Sequence, residues 1–81
     1  MSQKQFLKFN EFKYPLHSPL EIIDFKGDLE VIERLKEMGL KTGQFIRIEG
    51  RAPFGGPILI RVAATVLALR DEEFVCVNLK L

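Results

Sequence analysis

His17 is the only histidine of the 81-residue chain and Cys76 its only cysteine. A zinc-type site draws three or four such side chains together at short spacing, and nucleophilic catalysis needs a nucleophile, a base and an orienting acid within reach of one another. Neither set can be assembled. His17 lies between Leu16 and Ser18 in a loop flanked by Pro15 and Pro19, and it reads as solvated. Cys76 falls inside a strand-like pattern opposite Val75 and Val77, where a free cysteine behaves as a small buried hydrophobe. Two acidic groups, Asp28 with Glu30 and Asp71-Glu72-Glu73, offer oxygens to a hard cation, but no motif makes them converge, so they read as solvated surface. The Gly55-Gly56-Pro57 run lacks the Lys and Ser or Thr of a phosphate-binding loop and joins two strands instead of a strand and a helix. No catalytic residue, metal ligand or cofactor is assigned, and the chain is not read as an enzyme.

The remaining chemistry is that of contact. In RAPFGGPILIRV, Arg51 to Val62, two prolines and two glycines separate runs that otherwise alternate apolar and polar residues. Those residues reverse the chain and keep the tip from extending a sheet. Phe54, between Pro53 and Gly55, is an aromatic side chain raised on a constrained loop, which gives a protein-binding surface an anchor at low ordering cost. Arg51, Pro53, Phe54, Gly55, Gly56 and Pro57 are therefore the candidate protein-binding residues.

The elements that must hold this tip follow from periodicity. LEIIDF, Leu20 to Phe25, reads as a strand, and Lys26-Gly27-Asp28 as a turn in which Asp28 caps a helix by accepting from its free N–H groups. The helix spans about residues 28–38, with Val31, Ile32, Leu35 and Met38 on one apolar stripe and a Glu30–Arg34 pair at favourable i, i+4 spacing. Gly39 ends it in the left-handed conformation, with Leu40 folding back on the last turn. A turn ending in Gly43 leads to FIRIEGR, which places Ile46 and Ile48 on one face. ILIRV does the same with Ile58, Ile60 and Val62. Ala63-Ala64-Thr65 turns into VLALR, Asp71-Glu72-Glu73 forms a charged corner, and FVCVNLKL is a last strand with Val75, Val77, Leu79 and Leu81 on one face. Mainly β, with about five short strands and one helix, the pattern suggests a small barrel whose closure removes exposed sheet edges. Residues 1–19 form an N-terminal arm and 20–81 the domain. The arm's Phe6, Leu7, Phe9, Phe12 and Tyr14 are too many aromatic and apolar groups to leave in water, so part of it should lie on the domain or on a second copy.

The totals narrow the function classes. At 47% hydrophobic and 28% charged residues the chain is globular. Twelve Lys and Arg against eleven Asp and Glu leave a net charge of +1, too little for a surface built on nucleic-acid phosphates. An RNA-binding barrel would have to use Phe54 with Arg51, Arg61 and Arg70, arginines spread along strands that face differently, and nucleic acid is not expected as a partner. The longest apolar run is about a dozen residues interrupted by Arg61, against the roughly 20 that span a bilayer. With one cysteine and no secretory leader visible in MSQKQFLKFNEF, a cytoplasmic location is the expectation.

Arg34-Leu35 with Met38-Gly39-Leu40, the turn ending in Gly43, the arginine hairpin Arg51-Ala52-Pro53-Phe54-Gly55-Gly56-Pro57, Ile60-Arg61-Val62, and Leu67-Ala68-Leu69-Arg70 followed by acids stand in an order and spacing that resembles the FeoA family of bacterial ferrous-iron uptake. The resemblance runs from about Leu20 to the C-terminus. It implies an SH3-like barrel, with no catalysis of its own, that acts with FeoB, the membrane iron transporter, at its cytoplasmic side. Gly56 stands where the family commonly has Asp, Ala64 where a turn glycine is common, and the arm is longer than usual. The same barrel occurs in iron-dependent repressors, so a metal-responsive regulatory module, or a general small-barrel interaction domain, is the alternative expectation. Direct Fe(II) contact has no motif to support it, and self-association through the arm is left open.

Overall fold

The computed structural model describes residues 12–81; Phe6, Leu7 and Phe9 of the arm lie outside them. Five strands and two helices follow in the order β1 (Leu20–Phe25), α1 (Leu29–Glu37), β2 (Phe45–Arg51), β3 (Ile58–Val62), β4 (Thr65–Leu69), α2 (Asp71–Phe74) and β5 (Val77–Lys80). All pairings are antiparallel, and the sheet order is β4-β3-β2-β1-β5. The last strand thus returns beside the first. The hydrogen-bonded ladder ends at β4 on one side and β5 on the other, and α2 carries the chain between these two ends.

Alternation sets which face is buried. Leu20 and Ile22, Ile46 and Ile48, Ile58 and Ile60, Leu69, and Val77 and Leu79 enter one core from the five strands, and Ile32 and Leu35 of α1 close it from the helix. Burying each such aliphatic side chain contributes about 1.5–3 kcal/mol relative to leaving it exposed. Val31 and Met38 flank the helical stripe as half-buried neighbours. The arm's Phe12 is buried in the same core, and Tyr14 and Leu16 pack against it.

Both ends of α1 are built from local chemistry. Asp28 Oδ1 accepts from the N–H of Glu30 at 2.8 Å and of Val31 at 3.3 Å. At the other end the N–H of Gly39 reaches the Lys36 carbonyl at 3.0 Å and that of Leu40 the Leu35 carbonyl at 3.2 Å, the paired bonds of a Schellman motif. Gly39 takes φ +102° there, and Leu40 turns inward, buried. Gly43, at φ +89°, donates to the Ile22 carbonyl at 2.8 Å and so pins the turn against β1.

Three local expectations are corrected. Asp71-Glu72-Glu73 is a helical turn, and the chain it carries does not resume as a strand until Val77; Val75 is 63% exposed and Leu81 77% exposed. Phe74 and Cys76 are buried instead. Arg34 pairs with Glu73 of α2 at 3.6 Å and not with Glu30. Ala64, which stands where a turn glycine is common, is not the turn's left-handed residue; that is Ala63, at φ +56°.

Candidate functional site

β2 and β3 end in the hairpin that the sequence singled out. The Ala52 N–H donates to the Pro57 carbonyl at 2.8 Å, closing the loop, and the Gly56 N–H lies 3.2 Å from both the Ala52 and Pro53 carbonyls. Pro53, Phe54 and Gly55 form the exposed tip. Two successive residues there are left-handed, Phe54 at φ +61° and Gly55 at +69°. Glycine adopts that conformation freely; phenylalanine does so at a cost of roughly 1–2 kcal/mol. The Phe54 ring is nevertheless fully exposed, so no packing offsets the strain. A Cβ on Gly56 would approach Ala52 Cβ to 3.0 Å and the Pro53 carbonyl oxygen to 3.2 Å. The absence of a side chain there lets the loop fold tightly on itself.

Arg51 braces the hairpin from below. Its Nη1 donates to the Gly56 carbonyl at 2.9 Å and to Asp71 Oδ1 at 3.0 Å, and its guanidinium lies 5.9 Å from the centre of the Phe12 ring. Phe12 in turn meets Phe74 edge to face at 6.4 Å. One side chain therefore ties the tip, the start of α2 and the buried end of the arm together. The sequence places Arg51 among the contact residues; the structure gives it a strut's position, half-buried beneath the loop.

Between this hairpin and the β4–α2 junction runs a shallow groove of about 510 Å³, lined by Arg51, Gly55, Gly56, Pro57, Ala68, Arg70, Asp71 and Glu72. The candidate residues Arg51 and Gly55 to Pro57 thus form one wall. The other wall, Ala68 to Glu72, was not foreseen, although the acids after Arg70 signal a break in the strand pattern. Asp28, Gly39, Leu40 and Gly43 lie elsewhere, at the ends of α1 and the following turn, where they serve the fold.

The residues first considered for chemistry stay apart. His17 donates its backbone N–H to the Ile48 carbonyl at 2.9 Å, and its exposed ring lies 3.5 Å from Glu49. Cys76 is buried, its Sγ 3.4 Å from the Glu72 carbonyl. Among the described residues no three His, Cys, Asp or Glu side chains gather to hold a metal. Among the same residues no helix is long and apolar enough to cross a membrane.

The five-stranded antiparallel sheet, linked by short helices and carrying a strained aromatic loop, is a small SH3-like barrel. A model of the FeoA domain matches residues 13–80, and the chain belongs to the FeoA family. Among solved structures it is similar to FeoA from Stenotrophomonas maltophilia, a prokaryotic SH3 domain protein complexed with zinc, at 32% identity and TM-score 0.62 over 82% of each chain. A FeoA-like protein from Clostridium acetobutylicum matches at 28% identity and TM-score 0.74, over 86% of this chain and 81% of its own. Iron(II) transport protein A from Clostridium thermocellum matches at 26% and 0.74 over 86% of this chain, which spans 43% of that protein's length. A search of curated proteins found no match.

Proposed function

We propose that this chain is an accessory protein of bacterial ferrous-iron uptake that works in the cytoplasm, binding the cytoplasmic part of an FeoB-like transporter through the loops at the hairpin end of the barrel. One observation carries the reading: Phe54 is fully exposed and held at φ +61° on a loop braced by Arg51. Stability alone would favour glycine or asparagine there, and strain of this kind is retained where a surface has to be presented in a set shape. The family supplies the biological setting, and the loop supplies the means. The role is one of recognition, with the partner providing the chemistry.

The test is capture by the immobilised soluble cytoplasmic domain of the transporter, comparing wild type with Phe54→Ala. Removing a central aromatic anchor weakens binding by about tenfold or more. Equal capture of the two proteins would remove Phe54 from the contact.

A further inference from the structure

We infer that the free edge of β4 is the docking line for an extended segment of the transporter, apolar with acidic residues, which adds one strand to the sheet; this rests on the proposed function and deepens it. β4 pairs with β3 through an unbroken run from Val62↔Thr65 to Ile58↔Leu69. Its other side carries no hydrogen bond to any described residue. Because Val62 and Thr65 close a two-residue turn, the alternation of an antiparallel pair points the N–H and C=O groups of Val66 and Ala68 away from β3. They form an open template.

Native proteins usually blunt such an edge with a charge, a proline or a bulge. The other end of the sheet follows that practice: β5 has four residues, finishes on Lys80, and meets a register shift in β1 between Ile22 and Asp24. β4, reading Thr65-Val66-Leu67-Ala68-Leu69, has none of these devices. Val66 is 44% exposed, and Ala68 beside it is exposed as well.

Charge names the occupant. Arg47 and Arg61 stand directly opposite each other on the outer face, an arrangement that by itself destabilises a sheet. Exposed Arg70 follows β4 on the same side. The one acid of β2 to β4 is Glu49, already held by Arg61 at 3.2 Å. An added strand with acidic residues on its outward positions, beside Arg70 and next in line to Arg61, offsets this excess. A second copy paired β4 to β4 would bring its own Arg61 and Arg70 to the same face, with no acid within β3 or β4 itself.

The experiment measures amide hydrogen exchange of the wild-type chain alone and saturated with the transporter's soluble cytoplasmic domain, together with capture of Ala68→Pro. That proline removes an N–H which β3 does not use, a place where edge strands tolerate it. The Val66 and Ala68 amides are expected to slow about tenfold or more in the complex, and Ala68→Pro to lose about tenfold in affinity with its melting midpoint retained. If wild type binds and these amides do not slow, or folded Ala68→Pro binds equally, the edge is not the docking line although the proposed function stands. If Ala68→Pro does not fold, the exchange result decides alone. Failure of wild type to bind overturns both readings. Slowing that follows the chain's own concentration without the domain assigns the edge to a second copy and overturns the partner.

Discussion

Phe54 sets stability and presentation against each other within one residue. Its φ of +61° costs energy that its exposed ring does not recover. Phe54→Gly is therefore expected to stabilise the folded chain by about 0.5–1 kcal/mol, the relief of strain less the freedom glycine adds to the unfolded state. Urea unfolding measures this directly. A loss of stability would show that the ring packs on the domain in solution and is not offered to a partner. The sequence made the exposure of this residue legible, through its place between a proline and a glycine. Its left-handed backbone was not legible, because nothing in residue type asks phenylalanine to take that conformation. The bracing role of Arg51 was not legible for a related reason. Its partners Gly56, Asp71 and Phe12 come together only when the hairpin, α2 and the arm are assembled.

At the scale of elements, the segments with strong local rules were readable and those decided by tertiary contact were not. β1 and α1 follow from alternation, a capping aspartate and a terminating glycine, and each lies where those signals place it. Gly39→Val tests the cap. A Cβ at Gly39 meets nothing within 4 Å, so any loss is conformational and not a clash. The expected cost is about 1–2 kcal/mol, from forcing a β-branched residue to φ +102°. Thermal unfolding with an unchanged midpoint would refute the assignment. α2 was hidden because four residues carry no helical period of their own. Its three acids resemble a solvated corner, yet Glu73 and Phe74 are buried. Missing that turn shifted the apparent inward face of the last strand to include Val75 and Leu81. The bulge in β2 was hidden likewise: Ile48 pairs with Ile60 but Gly50 with Leu59, so Glu49 is the extra residue, and its side chain lies between His17 and Arg61.

For the molecule as a whole, α2 is the link between the two ends of the sheet, and Glu73 is what fastens it. The Glu73 side chain, in a residue only 8% exposed, accepts from the Arg70 N–H at 2.8 Å with one oxygen and lies 3.6 Å from Arg34 of α1 with the other. The first contact satisfies a partly buried backbone donor at the β4–α2 junction; the second is a longer pair to a guanidinium more than half exposed. Their energetic weights should differ accordingly. Leaving a buried donor without its acceptor costs about 1–3 kcal/mol, whereas an exposed ion pair is worth at most about 1 kcal/mol. Glu73→Ala is thus expected to lower unfolding stability by about 1–3 kcal/mol, and Arg34→Ala by less than about 1 kcal/mol. A domain of this size has only some 4–12 kcal/mol in total, so the first change should be plain in denaturant titration. Because Glu73 touches both α1 and the end of β4, the loss should appear as one cooperative transition shifted to lower denaturant, with its slope retained. A separate early transition confined to α2 would instead show that the two ends of the sheet are held together by the core alone.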